Sequence, residues 1–205
     1  MEDFVYLASA SPRRRQLLSQ IGVTFQVLSV DVDESIATRE GAESYVLRLA
    51  RAKAAAGLSR RSAARPAAVL GADTVVVAGG AILGKPADCA DAERMLALLS
   101  ARTHEVLTAV ALATDDGVLS DLSRSEVTFR EITPKEARDY WSTGESRDKA
   151  GAYAIQGYGA VFVSGLRGSY SGVMGLPLFE TAQLLRAAGV PCWLETKGTA
   201  ATHGH

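Results

Sequence analysis

The sequence lacks the features of a secreted or membrane-spanning protein. Its 205 residues include two cysteines, Cys89 and Cys192, whose spacing is typical of neither a disulfide framework nor a metal site. No apolar run approaches the length of a membrane span. The opening residues MEDFVYLASAS have no basic segment followed by a long apolar one, as a signal peptide would. We therefore expect a cytoplasmic protein with no membrane partner, in a compartment that keeps thiols reduced.

The sequence also lacks a charge excess of either sign. Lys and Arg number 22 and Asp and Glu 23, so the net charge is -1. Such a balance disfavours a general binder of nucleic acids, and any basic site must be local. The three histidines at 104, 203 and 205 form no catalytic or metal-binding constellation. A composition of 47% hydrophobic and 22% charged residues is ordinary for a globular chain.

Short apolar runs alternate with amphipathic segments along the chain. The patterns predict strands at 4–8, 24–30, 67–78, 81–83, 103–114, 118–132 and 192–195. They predict helices after Ser11 and at 42–58, 91–100, 133–141 and 176–189. We therefore expect an α/β fold with a mixed sheet flanked by helices, with two lobes around a cleft. Residues 1–196 are predicted to form one domain, and the small polar tail 197–205 to be disordered.

The segment ASASPRRRQLLSQIG (8–22) begins like a helix and then departs from helix preference. Ser11 suits the N-cap and Pro12 the first position. Arg13, Arg14 and Arg15 then occupy the first turn, where acidic residues are favoured. They could be surface residues whose stems cover apolar neighbours. A phosphate site explains them better, since free N–H groups, a serine hydroxyl and guanidinium groups all bind phosphate oxygens. The near-neutral net charge favours a small ligand over a nucleic acid.

The stretch GGAILGKP (79–86) matches the glycine and lysine spacing of a P-loop, but Pro86 stands where a P-loop has Ser or Thr. A residue that precedes proline is disfavoured in helical conformation, so Lys85 cannot easily begin a phosphate-binding helix. We reject a P-loop here. Lys85 remains a candidate phosphate contact as a point charge at a strand end.

Asp73 interrupts the apolar run AAVLGADTVVVA (67–78), where an unpaired buried carboxylate is costly. It could be a structural residue that binds a turn or a lysine, or it could act as a general base or Mg²⁺ ligand. Thr74 adds a hydroxyl beside it. Glu34, in the acidic stretch DVDES, could face the same metal or lie in a solvated loop. Lys53, in RAKAAA, could bind phosphate or be a solvated helix residue.

A glycine-rich segment, 148–177, contains Gln156 between Ile155 and Gly157. Glycine at this density permits close approach of the backbone to a ligand, or unusual turns. The Gln156 amide offers a donor and an acceptor, which suits either a ligand or the support of the loop itself.

The sequence resembles the Maf family of nucleoside triphosphate pyrophosphatases. The stretches that carry the resemblance are LASASPRRRQLL, LRLARAKA, LGADTVVV, LGKP, DKAGAYAIQGYGA and GSYSGVMGLP, in the family's order. The resemblance implies an elongated α/β fold of the Maf and ITPase type with a central cleft. It also implies a cytoplasmic, often dimeric enzyme that uses a divalent cation (Mg²⁺ or Mn²⁺), removes unwanted nucleotides and in some members is linked to arrest of cell division. Asp73 would be the proton acceptor, and Arg13, Thr74 and Gln156 the residues that select the substrate.

That selecting set separates branches of the family. The branch resembling 7-methyl-GTP pyrophosphatases has Trp, Gln and Glu at the three positions, whereas the dTTP/UTP branch has Arg, Thr and Gln, as here. Thymine and uracil present an N–H beside a carbonyl, which one Gln156 amide can pair with; guanine presents two adjacent donors, which suit a carboxylate. We therefore expect hydrolysis of dTTP and UTP to the monophosphate and pyrophosphate.

For hydrolysis of dTTP and UTP, each candidate residue is expected to have a role. The triphosphate would be held at the helix N-terminus, and the cation would bridge phosphate oxygens while a water attacks the α-phosphorus. The residues holding the triphosphate would be Ser11, Arg13 and Arg14, helped by Lys53 and Lys85; those holding the cation would be Asp73 and Glu34. Two alternatives stay open, a pyrophosphatase for modified nucleotides and a regulatory protein that binds nucleic acid without turnover.

Overall fold

A computed structural model describes residues 4–192, and these form a mixed, open sheet with helices on both faces. The strands are β1 (Val5–Leu7), β2 (Phe25–Val27), β3 (Val69–Ala78), β4 (Ala81–Leu83), β5 (Thr103–Thr114), β6 (Gly117–Phe129) and β7 (Val163–Arg167). The α-helices are α1 (Pro12–Gln20), α2 (Ala42–Arg60), α3 (Cys89–Leu99), α4 (Pro134–Ser142), α5 (Tyr170–Met174) and α6 (Leu178–Ala187). Two 3-10 helices cover Ala150–Ala152 and Tyr158–Phe162.

The order of the strands places a switch in chain direction at β1. The sheet order is β2-β1-β3-β5-β6-β7, with β4 paired to β3, and β1 is parallel to both of its neighbours. The chain leaves β1 through α1 to reach β2 on one side, and returns through α2 to β3 on the other. In this topology a crevice forms at the carboxyl end of β1, between the two connections, and open α/β sheets bind ligands in such a crevice.

β3 has a free edge at this crevice. β1 pairs with it at Val69 and Leu70, and β4 pairs with it from Val76 onward. Between these positions β3 has a strand partner on the β5 side alone. Asp73 and Thr74 lie on this stretch, which has no strand partner on the crevice side, so the sheet itself presents them at the crevice.

The apolar core divides on either side of these two residues. Ala72 belongs to a cluster with α1 and α6, whereas Val76 belongs to a cluster with α3 and α4. A third cluster joins α2 to the alternate residues of β5, as the two-residue period of a strand requires. The division of the core agrees with the expected cleft.

Gly71 lets α2 approach the sheet closely. A Cβ added at Gly71 would lie 2.5 Å from the carbonyl oxygen of Ala50 and 2.6 Å from the amide nitrogen of Ala54. Ala50 and Ala54 are therefore the packed side of the helix, whereas Ala55 is exposed. Because Lys53 lies beside them on α2 and Asp73 lies two residues beyond Gly71 on the same face of β3, this contact brings the two charged side chains together.

Most predicted elements are confirmed. β5 and β6 form a hairpin, and α4 begins with a capping box made by Thr133 and Glu136. Three details were wrong. α3 begins at Cys89 with Asp88 as its N-cap, the extended run after β5 ends at Phe129, and the glycine-rich segment contains β7 and α5. The predicted strand 192–195 and the tail 197–205 lie outside the described residues, apart from Cys192. Within residues 4–192 no helix is long and apolar enough to cross a membrane.

Candidate active site

A cavity of about 680 Å³ opens at the crevice beside the free edge of β3. This is within the usual range for sites that bind small molecules. All of the predicted site residues line it: Ser11, Arg13, Arg14, Glu34, Lys53, Asp73, Thr74, Lys85 and Gln156. We call the side formed by α1, α2 and β3 the sheet wall, and the side formed by Lys85 and residues 148–156 the loop wall.

Lys53 joins two carboxylates on the sheet wall. Its Nζ lies 2.6 Å from Glu34 Oε1 and 2.7 Å from Asp73 Oδ1. The side chains of Lys53 and Asp73 are 13% and 11% exposed, whereas that of Glu34 is 51% exposed. The sequence left open whether Asp73 is a structural ion-pair partner or a reactive carboxylate. In the structure its carboxylate forms an ion pair with Lys53 and also faces the cavity.

Glu34 keeps an ionised carboxylate in spite of partial burial. Burial acts to raise its pKa, but the hydrogen bond from Lys53 and the charges of Lys53, Lys85 and Arg14 together lower it. The hydroxyl of Tyr45 donates to the Glu34 carbonyl oxygen at 2.8 Å, which ties the acidic loop to α2. Glu34 therefore borders the cavity from a loop that leaves its side chain half exposed.

Arg14 uses most of its hydrogen bonds within the protein. Nε donates to the Gly175 carbonyl at 2.8 Å, and Nη1 donates to the Ala72 carbonyl at 2.7 Å and to Ser9 Oγ at 3.3 Å. Nη2 donates to Thr74 Oγ1 at 3.3 Å. One of the five guanidinium N–H groups remains for a ligand. Burial lowers the pKa of Arg14, with the Asp73 charge opposing it.

Arg13 is less committed. Its Nε donates to the Met174 carbonyl at 3.4 Å, and its Nη1 lies 3.9 Å from Asp148 Oδ2. Burial lowers its pKa, opposed by the charges of Asp148 and Glu145. Arg15 is exposed. Arg13 and Arg14 thus contact carbonyls at the end of α5, which gives the arginines of the first turn a structural purpose besides any ligand.

The N-terminus of α1 has no side-chain cap. Ser11 lies at the N-cap, but its hydroxyl makes no capping hydrogen bond, contrary to the expectation for this residue. Its amide donates instead to Ser9 Oγ at 3.2 Å. The first-turn N–H groups of a helix have no acceptor within the helix. An anion in the cavity could supply one.

Thr74 lies on the opposite face of β3 from Asp73, as strand alternation requires. Its hydroxyl contacts Arg14 and lies 3.1 Å from Thr108 Oγ1, which in turn donates to the Gly172 carbonyl at 2.8 Å. Thr74 therefore links α1, β5 and α5, in addition to lining the cavity.

The loop wall presents its side chains differently. Lys85 and Gln156 are exposed, and neither side chain has a hydrogen-bond or ion-pair partner within residues 4–192. The loop itself is fixed by Gly151, whose amide donates to the Gly84 carbonyl at 3.0 Å. Gly151 has φ 69°, and an added Cβ would lie 2.9 Å from Val76. Glycine is therefore required there, and Gln156 lies farther along the same loop at the cavity.

Sequence reasoning missed several lining residues. Ser9, Asp148, Lys149 and Tyr153 all border the cavity, and Lys149 forms an ion pair with Asp148. Ser9 lies in the stretch ASASP, and Asp148 and Lys149 lie in DKAG. Both stretches carry the resemblance to the Maf family, and this was the signal that could have indicated these residues. Nothing in the local pattern distinguishes Tyr153 from a core residue.

Comparisons with known proteins agree with this geometry. A family model described as Maf-like protein matches residues 4–188. A dTTP/UTP pyrophosphatase of Saccharophagus degradans is 55% identical over 191 residues, which are 92% of this chain and 90% of that protein. Proteins of the same name from Aromatoleum aromaticum and Hahella chejuensis are 53% and 50% identical, over 91% of this chain and 96% and 93% of their own lengths.

Proposed function

This chain belongs to the Maf family, and from that premise we propose that it hydrolyses dTTP and UTP to the nucleoside monophosphate and pyrophosphate. The relatives named as dTTP/UTP pyrophosphatases support the substrate. The observation that carries the proposal is the cluster of Asp73, Lys53 and Glu34 at the free edge of β3, inside a cavity that also contains two arginines and Gln156.

The triphosphate is proposed to lie between the sheet wall and Lys85. Lys53, Lys85 and Arg13 supply positive charge, and the uncapped N-terminus of α1 supplies N–H donors. Arg14 contributes its remaining N–H and holds the surrounding carbonyls in place. Positioning and charge stabilisation of this kind account for most of the catalysis of phosphoryl transfer.

Asp73 is proposed to accept the proton of the attacking water. Its Oδ1 is held by Lys53, while Oδ2 makes no hydrogen bond within residues 4–192. The water oxygen forms a bond to the α-phosphorus, and the bond from that phosphorus to the oxygen bridging it to the β-phosphorus breaks. Pyrophosphate leaves with the electron pair of that bond, and the proton passes to Asp73.

The residues present fit a divalent cation. Glu34 and Asp73 each contact Lys53 through one carboxylate oxygen, which leaves a second oxygen on each, and Mg²⁺ is bound in proteins by one or two carboxylates together with substrate phosphates. Within the described part of the chain no group of three or more His, Cys, Asp or Glu could hold an ion unaided. Glu34 would hold Mg²⁺ or Mn²⁺ through its second oxygen, with Asp73 as a further ligand where that oxygen does not accept the proton, and the cation would offset charge on the triphosphate.

Gln156 is proposed to read the base. Its amide has no partner within residues 4–192, so a carbonyl and an N–H group remain for the adjacent N–H and carbonyl of uracil or thymine. Arg13 and Thr74 complete the selecting set, although Thr74 contacts Arg14 and so contributes partly through it.

We further propose that the enzyme acts in the cytoplasm as one domain spanning residues 1–196, and as a homodimer. A single sheet runs through the described residues, which supports one domain. The dimer rests on the resemblance, and sedimentation equilibrium tests it.

The test is pyrophosphate release from dTTP, UTP, CTP, GTP and 7-methyl-GTP, with and without Mg²⁺ or Mn²⁺. We expect metal-dependent turnover of dTTP and UTP. Turnover of 7-methyl-GTP instead would overturn the specificity, and preferential turnover of modified nucleotides would favour a role in removing them. Absence of all turnover, with salt-dependent binding to DNA or RNA, would overturn the enzyme assignment.

A further inference from the structure

The backbone on both sides of Gln156 is held by two side chains from outside the cavity. The amide of Ala154 donates to the Tyr140 hydroxyl at 3.0 Å. The amides of Tyr158 and Gly159 donate to the two carboxylate oxygens of Glu145 at 2.9 and 3.0 Å. The contacts therefore begin two residues before Gln156 and resume two residues after it.

These two side chains also hold each other. The Tyr140 hydroxyl donates to Glu145 Oε1 at 2.7 Å, and Tyr140 is 4% exposed. Burial acts to raise the pKa of Glu145, but the hydrogen bonds from Gly159, Tyr140 and Tyr158 together lower it. Glu145 is thus an ionised carboxylate at the N-terminus of the second 3-10 helix, where free N–H groups favour a negative charge.

The glycines around Gln156 fit this arrangement. A Cβ at Gly157 would overlap the Glu145 carboxylate. A Cβ at Gly159 would lie 2.7 Å from the Ala154 carbonyl and 2.8 Å from the Tyr140 hydroxyl. Both glycines are needed so that the loop can close around these two side chains, which explains part of the glycine-rich pattern that the cavity itself does not.

We propose that Glu145 and Tyr140 are positioning residues that fix the backbone on both sides of Gln156, and thereby set where its amide meets the base of the substrate. The inference rests on the proposed role of Gln156. Neither residue lines the cavity, so we expect neither to touch the substrate. Their effect should reach the substrate through Gln156 and should appear in binding of the nucleotide rather than in the chemical step. Because the Glu145 charge also acts on Arg13, Tyr140→Phe, which retains that charge, isolates the positioning effect.

A double-mutant cycle tests this with UTP as the substrate. The four proteins are the wild type, Glu145→Ala, Gln156→Ala and the double variant, each measured for kcat and KM. We expect Glu145→Ala to raise KM about tenfold while kcat stays within about twofold. In the double variant KM should be no higher than in Gln156→Ala alone, because the loop then has no side chain left to position.

A second variant replaces Glu145→Ala in the cycle if that protein does not fold, and a control separates loss of stability from loss of binding. Tyr140→Phe removes the hydroxyl but keeps the ring and the Glu145 charge, and should raise KM about threefold; it completes the same cycle should Glu145→Ala fail to fold. Thr133→Ala removes the N-cap of the same helix, α4, and should lower the melting temperature without changing KM.

Three results would overturn the inference. These are losses that multiply in the double variant, a fall in kcat at constant KM, and unchanged KM in both Glu145→Ala and Tyr140→Phe. If Gln156→Ala weakens UTP turnover as proposed while the cycle shows no coupling, this inference fails and the proposed function stands. If the wild type releases no pyrophosphate from UTP or dTTP, both fail together.

Discussion

The sheet wall and the loop wall of the cavity hold their functional side chains in opposite ways. On the sheet wall, Lys53 contacts two carboxylates, and Arg14 contacts two carbonyls and two hydroxyls. On the loop wall, Lys85 and Gln156 have no side-chain partner within residues 4–192, and order comes from backbone contacts instead. The functional side chains of the sheet wall are held by contacts that they make themselves, whereas those of the loop wall depend on hydrogen bonds of the backbone that carries them.

The difference has a consequence for substitution. A change on the sheet wall removes a group that both contacts the ligand and supports its neighbours, so activity and stability should fall together. A change of a loop-wall side chain should alter ligand binding and leave stability nearly unchanged.

The largest effect is expected for Asp73→Asn on the sheet wall. The amide keeps the size of the side chain but cannot accept the proton of the attacking water, so kcat should fall about 10³-fold. Binding of UTP should persist, and pyrophosphate release together with a binding titration checks both. Asp121→Asn, two strands away on β6, is the matched control and should keep wild-type kcat. Wild-type turnover by Asp73→Asn would show that another group accepts the proton.

Arg14→Met should destabilise the protein by about 3 kcal/mol, measured by urea unfolding. The substitution keeps an unbranched apolar stem but leaves the Ala72 and Gly175 carbonyls without their guanidinium donor. Arg15→Met, at the next and exposed position of the same helix, should change stability by less than about 0.5 kcal/mol. Equal stabilities of the two variants would mean that the contacts of Arg14 are not structural.

Gln156→Glu should lower kcat/KM for UTP and dTTP about 30-fold, equivalent to about 2 kcal/mol. A carboxylate has no N–H for the base carbonyl, so that group is left unpaired. The melting temperature should stay at the wild-type value, which is the contrast with Arg14→Met. If kcat/KM falls equally for UTP, CTP and 7-methyl-GTP, the Gln156 side chain does not read the base edge.

The sequence predicted the residues of this cavity better than their contacts. Ser11 and Pro12 mark the start of α1, and Asp73 stands out because it is a carboxylate in an apolar strand, so local patterns suffice for both. The pairing of Lys53 with Asp73 depends on Gly71, which permits α2 to approach β3, and this contact joins residues 20 positions apart. Local periodicity carries no information about such a distance.

The least predictable part is the glycine-rich segment. Its glycines indicate turns, but the partners that require two of them lie elsewhere in the chain: Val76 requires Gly151, and Glu145 requires Gly157. Strand β7 and helix α5 lie within it because β6 and the Ser169 cap stabilise them. The expected cap of α1 was wrong as well, since the Ser11 hydroxyl makes no capping hydrogen bond and the Ser11 amide donates to Ser9 Oγ instead.

For a change of one pH unit, His104 gives the smallest effect, and it tests whether the residues buried beneath the loop wall contribute to stability. It is 3% exposed, its Nε2 lies 2.9 Å from the Tyr153 hydroxyl, and its Nδ1 has no partner within residues 4–192. Burial lowers its pKa to about 4, whereas an unfolded histidine titrates near 6.5. Between these values the unfolded chain binds one more proton at this residue, so acid favours unfolding and stability rises with pH.

This residue alone should contribute a slope of about 1.4 kcal/mol per pH unit between pH 4 and 6.5. Urea unfolding across that window measures it. His104→Phe combined with Tyr153→Phe removes the titrating ring and its hydroxyl partner together, so no polar group is left unpaired and the slope should decrease by that amount. Tyr153→Phe alone retains the histidine and should keep the wild-type slope. If the wild type and the double variant show equal slopes, His104 is already protonated in the folded protein at mildly acidic pH, and the buried contact beneath the loop wall is not the acid-sensitive one.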